Sequence, residues 1–134
     1  MDLFNKLRRM SILLIDDDKL IRDSLTMFFR KEGCHLSAFE TAEEGLEALK
    51  SHDYQLIIAD YLLPGINGLE FFRRVGGSHP RALRLLSTAY WNERVGAEAE
   101  RIGIKELIEK PYTAKTIEQS LSRLIEKGEQ SSTP

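Results

Sequence analysis

The sequence has one cysteine, Cys34, so no internal disulfide can form. A lone thiol fits a reducing compartment, and the expected location is the cytoplasm. Cys34 opens the alternating stretch Cys34-His35-Leu36-Ser37-Ala38-Phe39, where a buried core thiol is expected. Basic charge is not in excess either. Nineteen Lys and Arg against 21 Asp and Glu leave a formal net charge of −2, which gives no electrostatic footprint for nucleic acid in this domain. No apolar run approaches the ~20 residues of a membrane span, and the first residues do not form a signal peptide, so no membrane partner is expected. Repeats, linkers and low-complexity segments are missing before the polar end. His35, His52 and His79 are not at metal-ligand spacing. With 134 residues, 42% hydrophobic and 30% charged, what remains is one globular domain with a sizeable core.

Strand and helix patterns alternate along it. Residues 11–15 form a continuous apolar strand, and Asp18 is placed to cap the helix that follows. Ile21, Leu25 and Phe28 recur on one face of that helix, widened by Phe29, and Gly33 ends it. A short strand, 36–39, leads to Thr41-Ala42-Glu43-Glu44, a capping box opening a helix through Lys50. Residues 54–59 form the third strand. Asn67 caps a helix carrying Phe71, Phe72 and Val75, and Gly76-Gly77-Ser78-His79-Pro80 breaks it. A fourth strand, 82–88, is followed by a helix that Asn92 caps, over 93–101. The fifth strand, 106–109, precedes a helix that Thr113 caps and Gly128 ends. The domain organisation expected is a lead-in over 1–10, with a frayed helical turn, one domain over 11–128, and a disordered tail over 129–134. Five βα units with nearly unbroken apolar strands predict an α/β fold, a doubly wound five-stranded parallel sheet covered on both faces.

In such sheets the active crevice lies beyond the carboxyl ends of the strands. Those ends carry Asp16 and Asp17, Asp60, Ser87-Thr88, and Lys110-Pro111. Carboxylates a few ångströms apart cannot all stay ionised without compensation. A hard divalent cation supplies it, and Mg²⁺ prefers one or two carboxylates plus phosphate oxygens. Lys110 offers a mobile point charge to a phosphoryl group, and the Thr88 hydroxyl can donate to one of its oxygens. The set describes a phosphoryl-transfer site with Asp60 as nucleophile, since aspartate can form an aspartyl-phosphate. Taken singly, each residue has a plainer role as cap, turn or solvated lysine. Four suitable residue types at four successive strand ends are what favours the joint reading.

Over residues 10–127 the chain resembles the receiver domain of two-component response regulators. The resemblance rests on Ile12-Leu13-Leu14-Ile15-Asp16-Asp17-Asp18, on Asp60-Tyr61-Leu62-Leu63-Pro64-Gly65-Ile66-Asn67-Gly68, on Ser87-Thr88-Ala89 and on Lys110-Pro111. It implies a flavodoxin-like, chemotaxis-regulator-like fold with strand order 2-1-3-4-5. It implies that Asp60 accepts a phosphoryl group from a sensor histidine kinase or phosphotransfer protein, the domain being regulatory, with Mg²⁺-dependent self-catalysed phosphotransfer and autodephosphorylation only. Asp17, Asp60 and the carbonyl of Leu62 would ligate Mg²⁺ directly, and Asp16 through metal-bound water. Thr88, Ala89 and Lys110 would hold the phosphoryl oxygens, and the Lys110–Pro111 peptide would be cis. Leu107 departs from the family, which has an aromatic switch residue there. Leu62 and Tyr90 would hinder water and give a long-lived phosphorylated state. Trp91 is expected to be exposed. A homodimer through the face of the fourth helix, fifth strand and fifth helix, counted from the first strand, is a candidate association.

Two other readings stand beside this one. A haloacid-dehalogenase-like phosphatase would use Asp16 as nucleophile and Asp18 as general acid, but it needs a late acidic pair for Mg²⁺. The stretch Ile104-Lys105-Glu106-Leu107-Ile108-Glu109 does not end in one. A phosphorylation-independent interaction module would keep the fold without the chemistry; Leu107 leaves room for it, while Asp60, Thr88 and Lys110 speak against it.

Overall fold

The computed structural model describes residues 2–131. Five parallel strands, β1 (Ser11–Ile15), β2 (His35–Phe39), β3 (Leu56–Asp60), β4 (Leu83–Thr88) and β5 (Glu106–Glu109), form one sheet in the order β2-β1-β3-β4-β5. The helices are α1 (Leu3–Leu7), α2 (Lys19–Lys31), α3 (Ala42–Ser51), α4 (Gly68–Val75), α5 (Glu93–Arg101) and α6 (Ala114–Ser131), with a 3₁₀ turn at Gly76–Ser78. This is the doubly wound arrangement expected from the apolar strands. None of the described helices is long and apolar enough to cross a membrane.

Successive side chains along a strand point to opposite faces, and the core divides accordingly. Leu13, Ile15, Ile57, Ala59 and Leu86 pack with α3, α4 and α5, where Phe71 and Phe72 meet edge to face. Ile12, Leu14, Leu56, Ile58, Leu85 and Ile108 pack with α2 and α6 on the other side, and Cys34 is buried there. The helix starts follow the side-chain caps read from sequence. Asp18 accepts from the Leu20 N–H, Asn67 from Glu70, Asn92 from Val95 and Thr113 from Thr116. Thr41 and Glu44 complete the capping box. Gly33, at φ +79°, takes the left-handed residue that ends α2.

Two expectations are corrected. Residues 2–10 are not a frayed lead-in, because α1 docks on the α2–α6 face; Met1 lies outside the described residues. Leu7 is fully buried, Phe4 meets Phe28 edge to face, and Lys6 pairs with Glu129 of α6. A five-residue helix is below the length that holds itself in water, so tertiary burial of Leu7 is its support. At the other end α6 does not stop at Gly128 but runs to Ser131. A Cβ on Gly128 would stand 2.6 Å from Leu83 Cδ2; the glycine is there for close helix–sheet packing, not for termination. Residues 129–131 are therefore helical, and the rest of the expected disordered tail, 132–134, lies outside the described residues.

Candidate functional site

The sheet register brings the acids together. Ile15 pairs with Ala59 across β1 and β3, so Asp16, one residue further on, stands beside Asp60, the last residue of β3. Oxygen atoms of Asp16, Asp17 and Asp60 lie within 4.8 Å of one another. Asp16 and Asp60 are 1% and 6% exposed, while Asp17 faces solvent. Asp18, as expected, serves the helix instead.

Lys110 reaches this cluster from the end of β5. Its Nζ donates to Asp16 Oδ2 at 2.7 Å and stands 3.1 Å from Asp60 Oδ2. The other oxygen of Asp16 accepts from the Asp18 N–H, and its carbonyl accepts from Arg22 Nη1. The Lys110 N–H donates to the Thr88 carbonyl, holding β5's end against β4's. The Lys110–Pro111 peptide is cis. Thr88 is fully buried, and its Oγ1 accepts from the Tyr90 N–H at 2.9 Å.

Burial pushes the Asp60 carboxyl up to about 6, and the charge of Asp16 pushes the same way. The charge and hydrogen bond of Lys110 pull it back in part, and Asp17 adds a smaller upward push. For Lys110, burial works to lower the pKa, but the hydrogen bond and charge of Asp16, with those of Asp60, hold the amine above its usual value. Three carboxylates and one ammonium leave the rim strongly negative. An all-oxygen cluster of this span has the ligand type and size to hold a hard divalent cation.

The backbone around Asp60 is tightly constrained. The Gly68 N–H donates to the Tyr61 carbonyl, and a Cβ on Gly68 would lie 2.3 Å from the Asp60 carbonyl oxygen. Only glycine lets α4 start this close to β3. Gly68→Ala is therefore expected to cost roughly 1–3 kcal/mol, as overpacking does. Urea melts with and without the substitution measure it, and an unchanged midpoint would contradict the contact.

Of the residues expected at the site, Asp16, Asp17, Asp60 and Lys110 converge, and Thr88 lies at the neighbouring strand end. Leu107 packs against the α3–α5 side of the core. Leu62, Tyr90 and Trp91 are exposed large side chains. The three histidines take no part in the cluster. Sequence reasoning missed two groups. Arg22 lies one turn beyond Asp18 on α2, a position that its helical spacing could have flagged. The Tyr112 hydroxyl is buried without a hydrogen-bond partner among the described residues. Its proton is held well above the usual range by burial first, then by the charges of Asp16, Asp60 and Asp18.

The comparisons with known proteins agree with this geometry. Residues 12–122 match the model of the response regulator receiver domain. This chain belongs to that family. It is a receiver of two-component signalling, a regulatory family whose standard function is to accept a phosphoryl group and whose usual partner is a histidine kinase.

The receiver is 31% identical over 117 residues to the C4-dicarboxylate transport transcriptional regulatory protein DctD of Rhizobium meliloti, covering 87% of this chain and 25% of that one. It is 27% identical to the transcriptional regulatory protein FixJ of Bradyrhizobium diazoefficiens (88% and 58% covered) and 34% identical to QseB of Escherichia coli O157:H7 (87% and 53%). The chain thus spans between a quarter and three fifths of these relatives. The CheY-like receiver domain of Methanospirillum hungatei superposes with a TM-score of 0.84 at 24% identity, over 90% of this chain and 97% of that one. This family membership replaces the phosphatase reading.

Proposed function

We propose that Asp60 is the phosphoacceptor of this receiver. The observation that carries the reading is the convergence of Asp16, Asp17 and Asp60 within 4.8 Å, with the Lys110 amine reaching both buried carboxylates. One carboxylate oxygen of Asp60 attacks the phosphorus of a phosphohistidine. The P–N bond breaks, and the imidazole leaves with the bonding pair and takes up a proton. Lys110, released from Asp60, follows the charge onto the new phosphoryl oxygens, and the Thr88 hydroxyl and the Ala89 backbone complete their binding. Asp17, Asp60 and the Leu62 carbonyl would hold Mg²⁺, with Asp16 acting through its water. When bound, the ion offsets the charge of acids and phosphoryl group together. Most of the work is positioning and neutralisation.

The test is incubation with a small phosphodonor and Mg²⁺, followed by intact mass. One phosphoryl adduct is expected on the wild type and none on Asp60→Asn. An adduct that persists in Asp60→Asn would move the acceptor elsewhere, and no adduct with any donor would favour a phosphorylation-independent module. Leu62 and Tyr90, both exposed beside the site, are expected to slow the approach of water to the aspartyl-phosphate. Decay of the adduct followed by mass should take minutes or longer; loss within seconds would refute that shielding.

A further inference from the structure

The Asp16–Asp17 peptide is held from α2, and by a charge. Arg22 Nη1 donates to the Asp16 carbonyl at 2.9 Å. Asp18 already caps this helix through the Leu20 N–H, and the Arg22 N–H donates to the Asp18 carbonyl as the first helical turn requires. The guanidinium bond is therefore not needed to start α2. It reaches past the cap to a residue that belongs to the rim. Charged donors make the stronger hydrogen bonds, and Arg22 is half-buried. Asp23, the next residue of α2, is held by Lys19 instead.

The bond completes a clamp. The Asp16 N–H donates to the Phe39 carbonyl, its two carboxylate oxygens accept from Lys110 and the Asp18 N–H, and its carbonyl accepts from Arg22. Asp17 has nothing comparable. Its side chain is exposed and hydrogen-bonded to no group among the described residues, yet one of its oxygens stands within 4.8 Å of Asp16 and Asp60. What places that carboxylate is the backbone on either side of it. The Asp16 carbonyl is fixed by Arg22, and the Asp18 N–H is fixed by Asp16 Oδ1. By charge alone a cation here is a disadvantage, since it repels a divalent ion. Its presence calls for another role.

We propose that Arg22 is a positioning residue for Mg²⁺, holding the Asp16–Asp17 peptide so that the Asp17 carboxylate stays beside Asp60. This role rests on the reading of Asp16, Asp17 and Asp60 as the metal site. Groups that orient a metal ligand typically carry a roughly ten- to hundredfold share of the affinity. Arg22 acts through Asp17 and is not itself a ligand.

The test is a titration of the ¹⁵N-labelled full chain with MgCl₂ and no phosphodonor, read at the Asp17, Asp18 and Asp60 amides. Arg22→Met should raise the Kd for Mg²⁺ about tenfold or more. If Arg22 acted by charge alone, the same variant would bind Mg²⁺ more tightly. Relaxation of the ¹⁵N amides in EDTA gives a second reading that needs no metal. In Arg22→Met the Asp17 amide should pass from the rigid range, an order parameter of about 0.85, toward about 0.6, with the rest of α2 unchanged. Arg22→Lys keeps the charge and loses the guanidinium fork. Its Kd should lie between those of the wild type and Arg22→Met, and it decides the matter if Arg22→Met does not fold. An unchanged or tighter Kd, or loosening spread along α2, would overturn the proposal and leave Asp60 as the acceptor untouched. A wild type that takes no Mg²⁺ would overturn it together with the metal half of that reading.

Discussion

Lys110→Met is expected to destabilise the metal-free receiver by about 3 kcal/mol at pH 8, because it strands two buried carboxylates without the ammonium that both pair with. Asp16 is almost wholly buried and gives one oxygen to the Lys110 amine, and Asp60 stands 3.1 Å from the same nitrogen. Methionine keeps the length and apolar stem of lysine, so lost packing contributes little. The loss should depend on pH. Without the ammonium, the folded-state pKa of Asp60 rises further above its ordinary 3.8. The penalty is therefore present above that raised pKa and disappears as pH falls through it and the carboxyl becomes neutral. Chemical denaturation at pH 8 and pH 5, each in EDTA, measures this, and added Mg²⁺ should recover much of the loss. A variant equally stable at both pH values would mean that Lys110 is not balancing the acids.

Asp60→Asn should have the opposite sign. The carboxyl sits at about 6 in the folded chain against 3.8 ordinarily, so folding takes up a proton between those values. The sign follows directly. Below pH 3.8 both states are protonated and nothing is lost. From there to about pH 6 the wild type loses stability as pH rises, and above 6 the full penalty stands. At 1.36 kcal/mol per pH unit the displacement is worth on the order of 2–3 kcal/mol. The neutral amide escapes it. In EDTA at pH 8 Asp60→Asn should thus melt above the wild type, and the gap should close toward pH 4. With saturating Mg²⁺ the order should narrow or reverse, because the wild type gains an ion that the amide binds poorly. A variant less stable than the wild type at pH 8 in EDTA would contradict the repulsion inferred for the rim.

These two substitutions act on the part of the molecule that was most legible in the sequence. Apolar runs ending in Asp16, Asp60, Thr88 and Lys110 state their own position, because a parallel sheet puts every carboxyl strand end on one rim. Caps such as Asp18, Thr41 and Asn92 were legible for a similar reason, since their bonds are local. What sequence reasoning missed depends on distant neighbours. A helical turn is legible in the lead-in, but its docking is not; Leu7 needs α2 and α6 to bury it. Gly128 reads as a stop until Leu83 is found in the space a side chain would fill. Arg84 sits in an apolar strand, and its hydrogen-bond partners are carbonyls of the turn after α4. In the structure Lys110 reaches Asp16 and Asp60 and offsets part of their charge.

The docking of α1 bears on how this module can be moved. Residues 12–122 match the family pattern, yet Leu7, Leu124 and Ile125 lie outside that window and are as buried as the strand interiors. A cassette cut at 12–122 for grafting onto another effector would carry an open seam between α2 and the shortened α6. Portable units of this receiver should therefore run from Asp2 to at least Glu129, so that both flanking helical segments travel with the sheet they seal.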